Sequence, residues 1–354
     1  MIRYLSTLLG MTVLAAVFVV GCDGTAGVSG GPGELAEPTR QIVFRSASSD
    51  AEDPLAAGKA AAQTVKDQIG AAPLKAVIVS ECYEDRQRKQ NVLAGVCSVF
   101  PKAMVYGGAT YGSFTQQGVA VGESVAVLGI AGKDIHVDVA CQQKMGAAGL
   151  TLAEHQEQVE QKLRTAGADL AGKLPKTHTS RLMIVIADAH SPKNGALVAG
   201  IRSVVGQEFP ITGGSVNKNA GQTFVYYEGR MLSDAAVGLM LSGDFKVALA
   251  GRQAKENAKV IATAEEAAAE ALGGLAGQNA KPAAAIAFDC AGRKGKLDNV
   301  ADELAAMQKA LGPDMPVFGT YNAGEIGPSD LAEKTPGVLS SGVGWHVMFT
   351  VIGW

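Results

Sequence analysis

The chain writes one phrase three times: "LAGVCSVFPKAMVYGGATYG", "VAGIRSVVGQEFPITGGSVN" and, more loosely, "LAAMQKALGPDMPVFGTYNAGE". Each version is a helix, a short strand and a set of small residues. Each also follows a continuous apolar run, "KAVIVSE", "RLMIVIAD" or "AAAIAFD", that reads as a strand covered on both faces. Those strands start near 76, 183 and 284, a period of about a hundred residues, so the repeat is domain-sized and not a short solenoid.

The middle copy has the clearest signals. "TLAEHQEQVEQKLRTAGADLAGKL" carries a helical period, with Thr151 as cap and Glu154 three residues on completing a capping box. "NGALVAGIRSVVG" places Leu197, Ile201 and Val204 on one helical face, and "FPITGG" is a second short strand. "QTFVYYEG", "DAAVGLMLSG" and "DFKVALAG" are further extended runs whose lengths and turns favour antiparallel pairing. The other copies keep this order. The expected fold is α/β: three pseudo-repeats of an αβαβββ unit with mixed sheets, in which the strand–helix–strand crossover makes two strands parallel. The third copy stops at Trp354 where the others run on into a last strand, and "QIVFRSASSD" precedes the first helix as "IHVDVACQQ" and "FKVALAGRQ" precede theirs. Residues 41–48 are therefore expected to complete the third unit and tie the chain ends together, which would remove an open sheet edge.

The first forty residues read as an address. Arg3, an apolar stretch from Leu5 to Val20 and "VVGC" resemble a lipoprotein signal, with residues 1–21 cleaved and Cys22 lipidated. Residues 23–40 are rich in Gly and Pro and read as a flexible tether. The expected location is the cell envelope, on the periplasmic side of the inner membrane or at the outer membrane; Asp23 after the cysteine resembles an inner-membrane retention signal. Export leaves Cys82, Cys97, Cys141 and Cys290 where disulfides form, with the pairing left open. No CxxC spacing is present and the five histidines are scattered, so neither a metal nor another cofactor is expected. A net charge of −3 with 18% charged residues offers no basic field to nucleic acid.

In α/β sheets, ligands favour the edge where parallel strands end. By the crossover argument, Asp289, Cys290 and Arg293 share that edge with Thr320, Tyr321, Asn322 and Glu325, and the other copies bring Thr110, Tyr111, Ser215 and Asn217. Two readings stay open for Arg293. It either pairs with a carboxylate inside the protein or grips a ligand carboxylate, with Glu325 taking a ligand amine. The pairs Gly107–Gly108 and Gly213–Gly214 either permit unusual backbone or leave room for a ligand. A nucleophilic Cys290 would want a base or a positive neighbour, and Asp289 opposes the help of Arg293. Cys82, directly after Glu81, holds the corresponding place in the first copy, which favours a role in the fold.

"FDCAGR" followed by "GTYNAGEIGP" resembles the signature of the C-terminal FIST domain (F-box and intracellular signal transduction). "VIVSECYE", "VYGGATYGSF", "PITGGSVNKN" and "DAAVGLMLSG" are similar to its N-terminal partner. The resemblance implies an N-terminal domain of two repeats over 41–252 and a C-terminal domain over 253–354. It further implies a sensory, ligand-binding module attached to signalling partners, for a small molecule such as an amino acid or related zwitterion; the lipoprotein-like signal, a departure from the family's usual pattern, adds a bilayer held through Cys22 and a membrane signalling partner. A cysteine-dependent hydrolase or transferase using Cys290, and a non-catalytic envelope scaffold, are the alternatives.

Overall fold

The computed structural model describes residues 42–120, 122–219 and 221–354; the expected export signal, the expected lipidation at Cys22 and the expected tether fall outside the described residues. The first unit runs β1 (Val43–Ser49), α1 (Pro54–Ile69), β2 (Leu74–Glu81), α2 (Arg86–Cys97), β3 (Val105–Ala109), β4 (Ser113–Thr115), β5 (Gly118–Val119) and β6 (Val125–Ala131). The second runs β7 (Ile135–Gln143), α3 (Leu152–Gly172), β8 (Ser180–Ala187), α4 (Asn194–Val205), β9 (Ile211–Ser215), the two-residue strands β10 (Lys218–Asn219) and β11 (Gln222–Thr223), β12 (Val225–Tyr227), β13 (Arg230–Leu232) and β14 (Ala235–Gly243). The third runs β15 (Lys246–Gln253), α5 (Asn257–Ala276), β16 (Pro282–Cys290), the single turn α6 (Ala291–Lys294), α7 (Val300–Leu311), β17 (Val317–Asn322), β18 (Glu325–Gly327), β19 (Ser341–Val343) and β20 (His346–Gly353).

Three six-stranded mixed sheets result, ordered β1-β6-β2-β3-β12-β13, β19-β18-β9-β8-β14-β7 and β15-β20-β16-β17-β4-β5. The crossover pairs β2–β3, β8–β9 and β16–β17 are parallel, as the repeat requires. The short hairpins break the boundaries of the units. The second unit's β12–β13 extends the first sheet, the third unit's β18–β19 extends the second, and the first unit's β4–β5 extends the third. The exchange runs in a ring.

The inner faces of the three sheets share one apolar core, to which Ile78 and Leu128, Ile184 and Leu239, and Ile286 and Met348 belong. Each outer face carries its own helix pair: Val65 and Val92 over the first sheet, Leu163 and Leu197 over the second, Ala264 and Met307 over the third. Burial on both faces explains why the central strands are continuous apolar runs. Helices approach closely at glycines. A Cβ on Gly58 would lie 2.2 Å from the Val92 carbonyl oxygen, and one on Gly167 would lie 2.1 Å from that of Leu197. Thr151 caps α3 by accepting from the Glu154 amide at 3.3 Å, as the capping box predicts.

Two expectations are corrected. Residues 43–49 do not complete the third unit: β1 pairs antiparallel with β6 of the first, Phe44 opposite Ile130. Each unit begins with the strand before its long helix, so "IHVDVACQQ" opens the second unit and "FKVALAGRQ" the third. In a cyclic repeat the pattern looks the same wherever it is cut, and only the ladder fixes the phase. The ends still meet the third unit through side chains, with Ser46 Oγ donating to the Val317 carbonyl at 2.6 Å. On α4, Leu197 and Ile201 point inward as expected, but Val205 joins them while Val204 is 45% exposed.

Candidate functional site

The parallel strands of all three units end together, and their loops bond in a ring. The amide of Asn217 donates to Ala109 O at 2.8 Å, that of Ala323 to Ser215 O at 3.0 Å, and that of Tyr111 to Tyr321 O at 2.8 Å. Return bonds run from Ala109 N to Phe224 O, Ser215 N to Gly324 O and Tyr321 N to Gly112 O. The sequence-derived residues from three copies, Thr110, Ser215, Asn217, Thr320, Tyr321 and Asn322, are thereby gathered at one end of the molecule, and all are buried.

They are held by one another. Asn217 Nδ2 donates to Thr110 O at 3.4 Å, Asn322 Nδ2 to Ser215 O at 3.3 Å, and Thr320 Oγ1 to Asn322 Oδ1 at 2.6 Å. Ser215 Oγ donates to Ala189 O at 2.7 Å. The glycine pairs serve this packing. Gly107 has φ +141°, and a Cβ there would lie 1.9 Å from Val79 O. The space beside Gly108 is filled by Val216, and that beside Gly214 by the Asn322 amide, each from the neighbouring loop of the ring.

Behind this end, the third unit holds a charged network with no solvent exposure. Arg293 Nε donates to Asp289 Oδ1 at 2.9 Å, and its Nη2 donates to Glu303 Oε1 at 2.9 Å and to Val260 O at 3.0 Å. Its Nη1 donates to Thr263 Oγ1 at 3.0 Å. The guanidinium is spent inside the fold, the internal-pair reading of the two raised by the sequence. Tyr321 O–H donates to Glu303 Oε2 at 3.2 Å. Glu303 itself went unnoticed in the sequence; its signal is a carboxylate beside Leu304 and Met307 on the core-facing side of α7. The first unit has a counterpart in Glu81, which takes Lys89 Nζ at 3.0 Å, the Tyr226 hydroxyl and the Tyr83 amide.

Glu325, from the exchanged β18, accepts from the His346 amide at 3.0 Å, and its Oε1 has no hydrogen-bond partner among the described residues. Burial raises its carboxyl well above the usual range. Cys290 lies beside it and accepts from the Trp345 amide at 3.3 Å. Burial, then the neighbouring Glu325, push the Cys290 thiol up to about 12, the reverse of what a nucleophile needs. In the second unit Asp188 holds the matching place and accepts from the Asp234 amide at 2.9 Å, so the position anchors the loop entering the next strand. His346 also escaped the sequence reading. Its Nδ1 donates to Gly344 O at 2.8 Å and its Nε2 accepts from the Asp330 amide at 3.1 Å, which fixes a neutral ring.

Open space lies instead at the starts of the strands, where units adjoin. Two grooves there have volumes of about 740 Å3 each. The groove between the second and third units is lined by Arg181, Lys246, Glu208, Phe209 and Gln278. That between the third and first is lined by Arg45, Lys281, Asp314, Trp354 and Gln68. Glu208 and Asp314 occupy the same place in the helix-to-strand turn, two residues before Pro210 and Pro316; the first unit has Lys102 there. Gln278 and Gln68 both stand at the carboxyl end of a unit's first helix.

Three units closed by exchanged hairpins define a pseudo-threefold α/β fold. Residues 75–268 match the FIST N domain and residues 243–328 the FIST C domain, and the chain belongs to the FIST family. FIST domains are sensory domains of signal transduction, held to bind small ligands. No curated protein matches the sequence. Among solved structures, a cyanuric acid hydrolase described as an "evolutionary innovation by structural concatenation" is 11% identical with a TM-score of 0.45, covering 88% of this chain and 99% of that one. The cyanuric acid hydrolase of A. caulinodans is 13% identical at a TM-score of 0.44, with the same coverage. T. maritima PurL complexed with FGAR is 11% identical at 0.29, covering 88% of this chain and 72% of that one.

Proposed function

We propose that this FIST protein is a lipid-anchored sensor of the cell envelope that binds a small zwitterion, an amino acid or a relative, in its paired grooves, and reports to a membrane partner. The observation that carries the reading is that both junctions bring together cations, a single carboxylate, at least one aromatic side chain and two glutamine amides: Lys176, Arg181 and Lys246 with Glu208 at one, Arg45 and Lys281 with Asp314 at the other. A ligand carboxylate would meet Arg181 or Lys246. A ligand ammonium would meet Glu208, beyond the carboxyl end of α4, whose Val205 carbonyl is already taken by Lys176 Nζ. The ten candidate residues at and behind the opposite end, Glu325 among them, are the frame that fixes the units; the depth of their burial is the support for that assignment. The anchor rests on the apolar stretch before Cys22. Replacing Cys22 with alanine is expected to move the protein out of the membrane fraction.

The test is thermal unfolding of residues 23–354, lacking Cys22, against amino acids, simple carboxylates and simple amines. A ligand at a hundred times its dissociation constant stabilises by about 2.7 kcal/mol per site. Amino acids are expected to raise the midpoint where carboxylates and amines alone do not, and Arg181→Ala and Arg45→Ala are each expected to reduce the rise. If nothing in the panel moves the midpoint, the sensor reading fails and the envelope scaffold takes its place.

A further inference from the structure

The third unit's network holds more negative groups than positive ones. Asp289 on β16, Glu303 on α7 and Glu325 on β18 are all fully buried, and Arg293 on α6 is the cation among them. The other elements packed there add no charge: α5 supplies the Thr263 hydroxyl and Val260 carbonyl, β17 the Tyr321 hydroxyl, β20 the amide of the neutral His346. The first unit's Glu81 is matched one for one by Lys89. The third unit is not balanced in this way.

Asp289 shows the consequence at one atom. Its Oδ1 accepts from the Cys290 amide at 2.7 Å and from Arg293, while Oδ2 is buried with no donor among the described residues. Glu303 is its neighbour, since one guanidinium holds both carboxylates, Asp289 through Nε and Glu303 through Nη2, each at 2.9 Å. Two ionised carboxylates in that position repel; one proton between them turns the same contact into a bond and satisfies the orphaned oxygen.

We propose that Asp289 and Glu303 share one proton in the folded protein, carried on Glu303 and donated to Asp289 Oδ2, and that this bond is a proton-operated latch between α7 and β16. The proton comes from water and returns to it. Burial, then Asp289, raise the Glu303 carboxyl well above the usual range, which agrees with the geometry. The unfolded chain releases this proton at an ordinary carboxylate value, whereas the folded chain keeps it. The latch's contribution is therefore complete at acidic pH and is lost as pH rises through the folded value of Glu303. The element released is α7, whose Gln308 also holds the first unit's hairpin by donating to Gln116 O at 2.8 Å.

Infrared spectroscopy of the native protein at neutral pH tests this through the stretch of a protonated carboxyl group. Glu303→Gln keeps a donor for Asp289 and an acceptor for Arg293, so it is expected to fold and to lose one carboxyl from the difference spectrum. Asp289→Asn leaves a simple Glu303–Arg293 pair and is expected to lose the same signal. The melting point of the wild type is expected to fall between pH 6 and pH 8.5 more steeply than that of Glu303→Gln. The absence of any protonated carboxyl in the wild type overturns the proposal, and so does a band or a pH slope that is undiminished in both variants; a weaker band common to all three proteins belongs to Glu325. Should neither variant fold, Glu325→Gln decides: a protonated carboxyl that remains in it supports the proposal, and its loss overturns it.

Discussion

Replacing Arg293 with alanine would leave Asp289 and Glu303 buried together with no cation between them. Breaking a buried pair from one side costs about 3–5 kcal/mol, and here the charge left on the proton-sharing Asp289–Glu303 pair is stranded. Denaturant titration of Arg293→Ala should show a loss of at least that order at pH 8 and a smaller one at pH 5, where protonation relieves the repulsion. A loss independent of pH would mean that packing around the guanidinium matters more than its charge. Cys290 belongs to the same neighbourhood. A buried thiol raised to about 12 should resist alkylation in the native protein at pH 7.5, while Cys97, partly exposed though also pushed up by burial, should react faster, as mass spectrometry of the labelled protein would show. The Asp289–Arg293 pair was legible in the sequence because the two stand four residues apart at a strand end. Glu303 was not, because its contact depends on how α7 crosses the sheet, which no local pattern encodes.

The long helices and central strands announce themselves through period and apolar run, since each is covered on both sides or along one face. The exchanged hairpins do not. Strands of two or three residues, such as Gly118–Val119 and Ser113–Thr115, carry too little pattern to say which sheet they join. The glycines of the helix pairs are readable only afterwards. Gly58 meets the Val92 carbonyl and Gly95 the Leu55 carbonyl, each with a would-be Cβ at 2.2 Å, and Gly167 with Gly200 repeats the arrangement in the second unit. Gly58→Ala and Gly167→Ala should each force the helices apart and cost about 1–3 kcal/mol in urea unfolding. A neutral result would show that the pair slides without loss.

Cutting the chain in the turn between β14 and β15 separates two units from one, yet neither piece has a complete set of sheets. The larger keeps β4–β5 but has lost the sheet it extends, and the smaller keeps β18–β19 on the same terms. Expressed apart, the pieces should lack cooperative unfolding and cohesive near-ultraviolet circular dichroism. Mixed, they should form a one-to-one complex that regains both. Independent folding of residues 244–354 would show that the hairpin exchange adds little. The exchange also sets a schedule for synthesis. The first sheet has its central strands once β6 has left the ribosome, but its outer edge stays open until Leu232 emerges, and the edge hairpin β4–β5 of the third sheet is made before any other strand of that sheet. A nascent chain of this kind carries bare strand edges for most of its translation, so the interval in which it can pair with the wrong strand is set by the order of its hairpins rather than by its final stability.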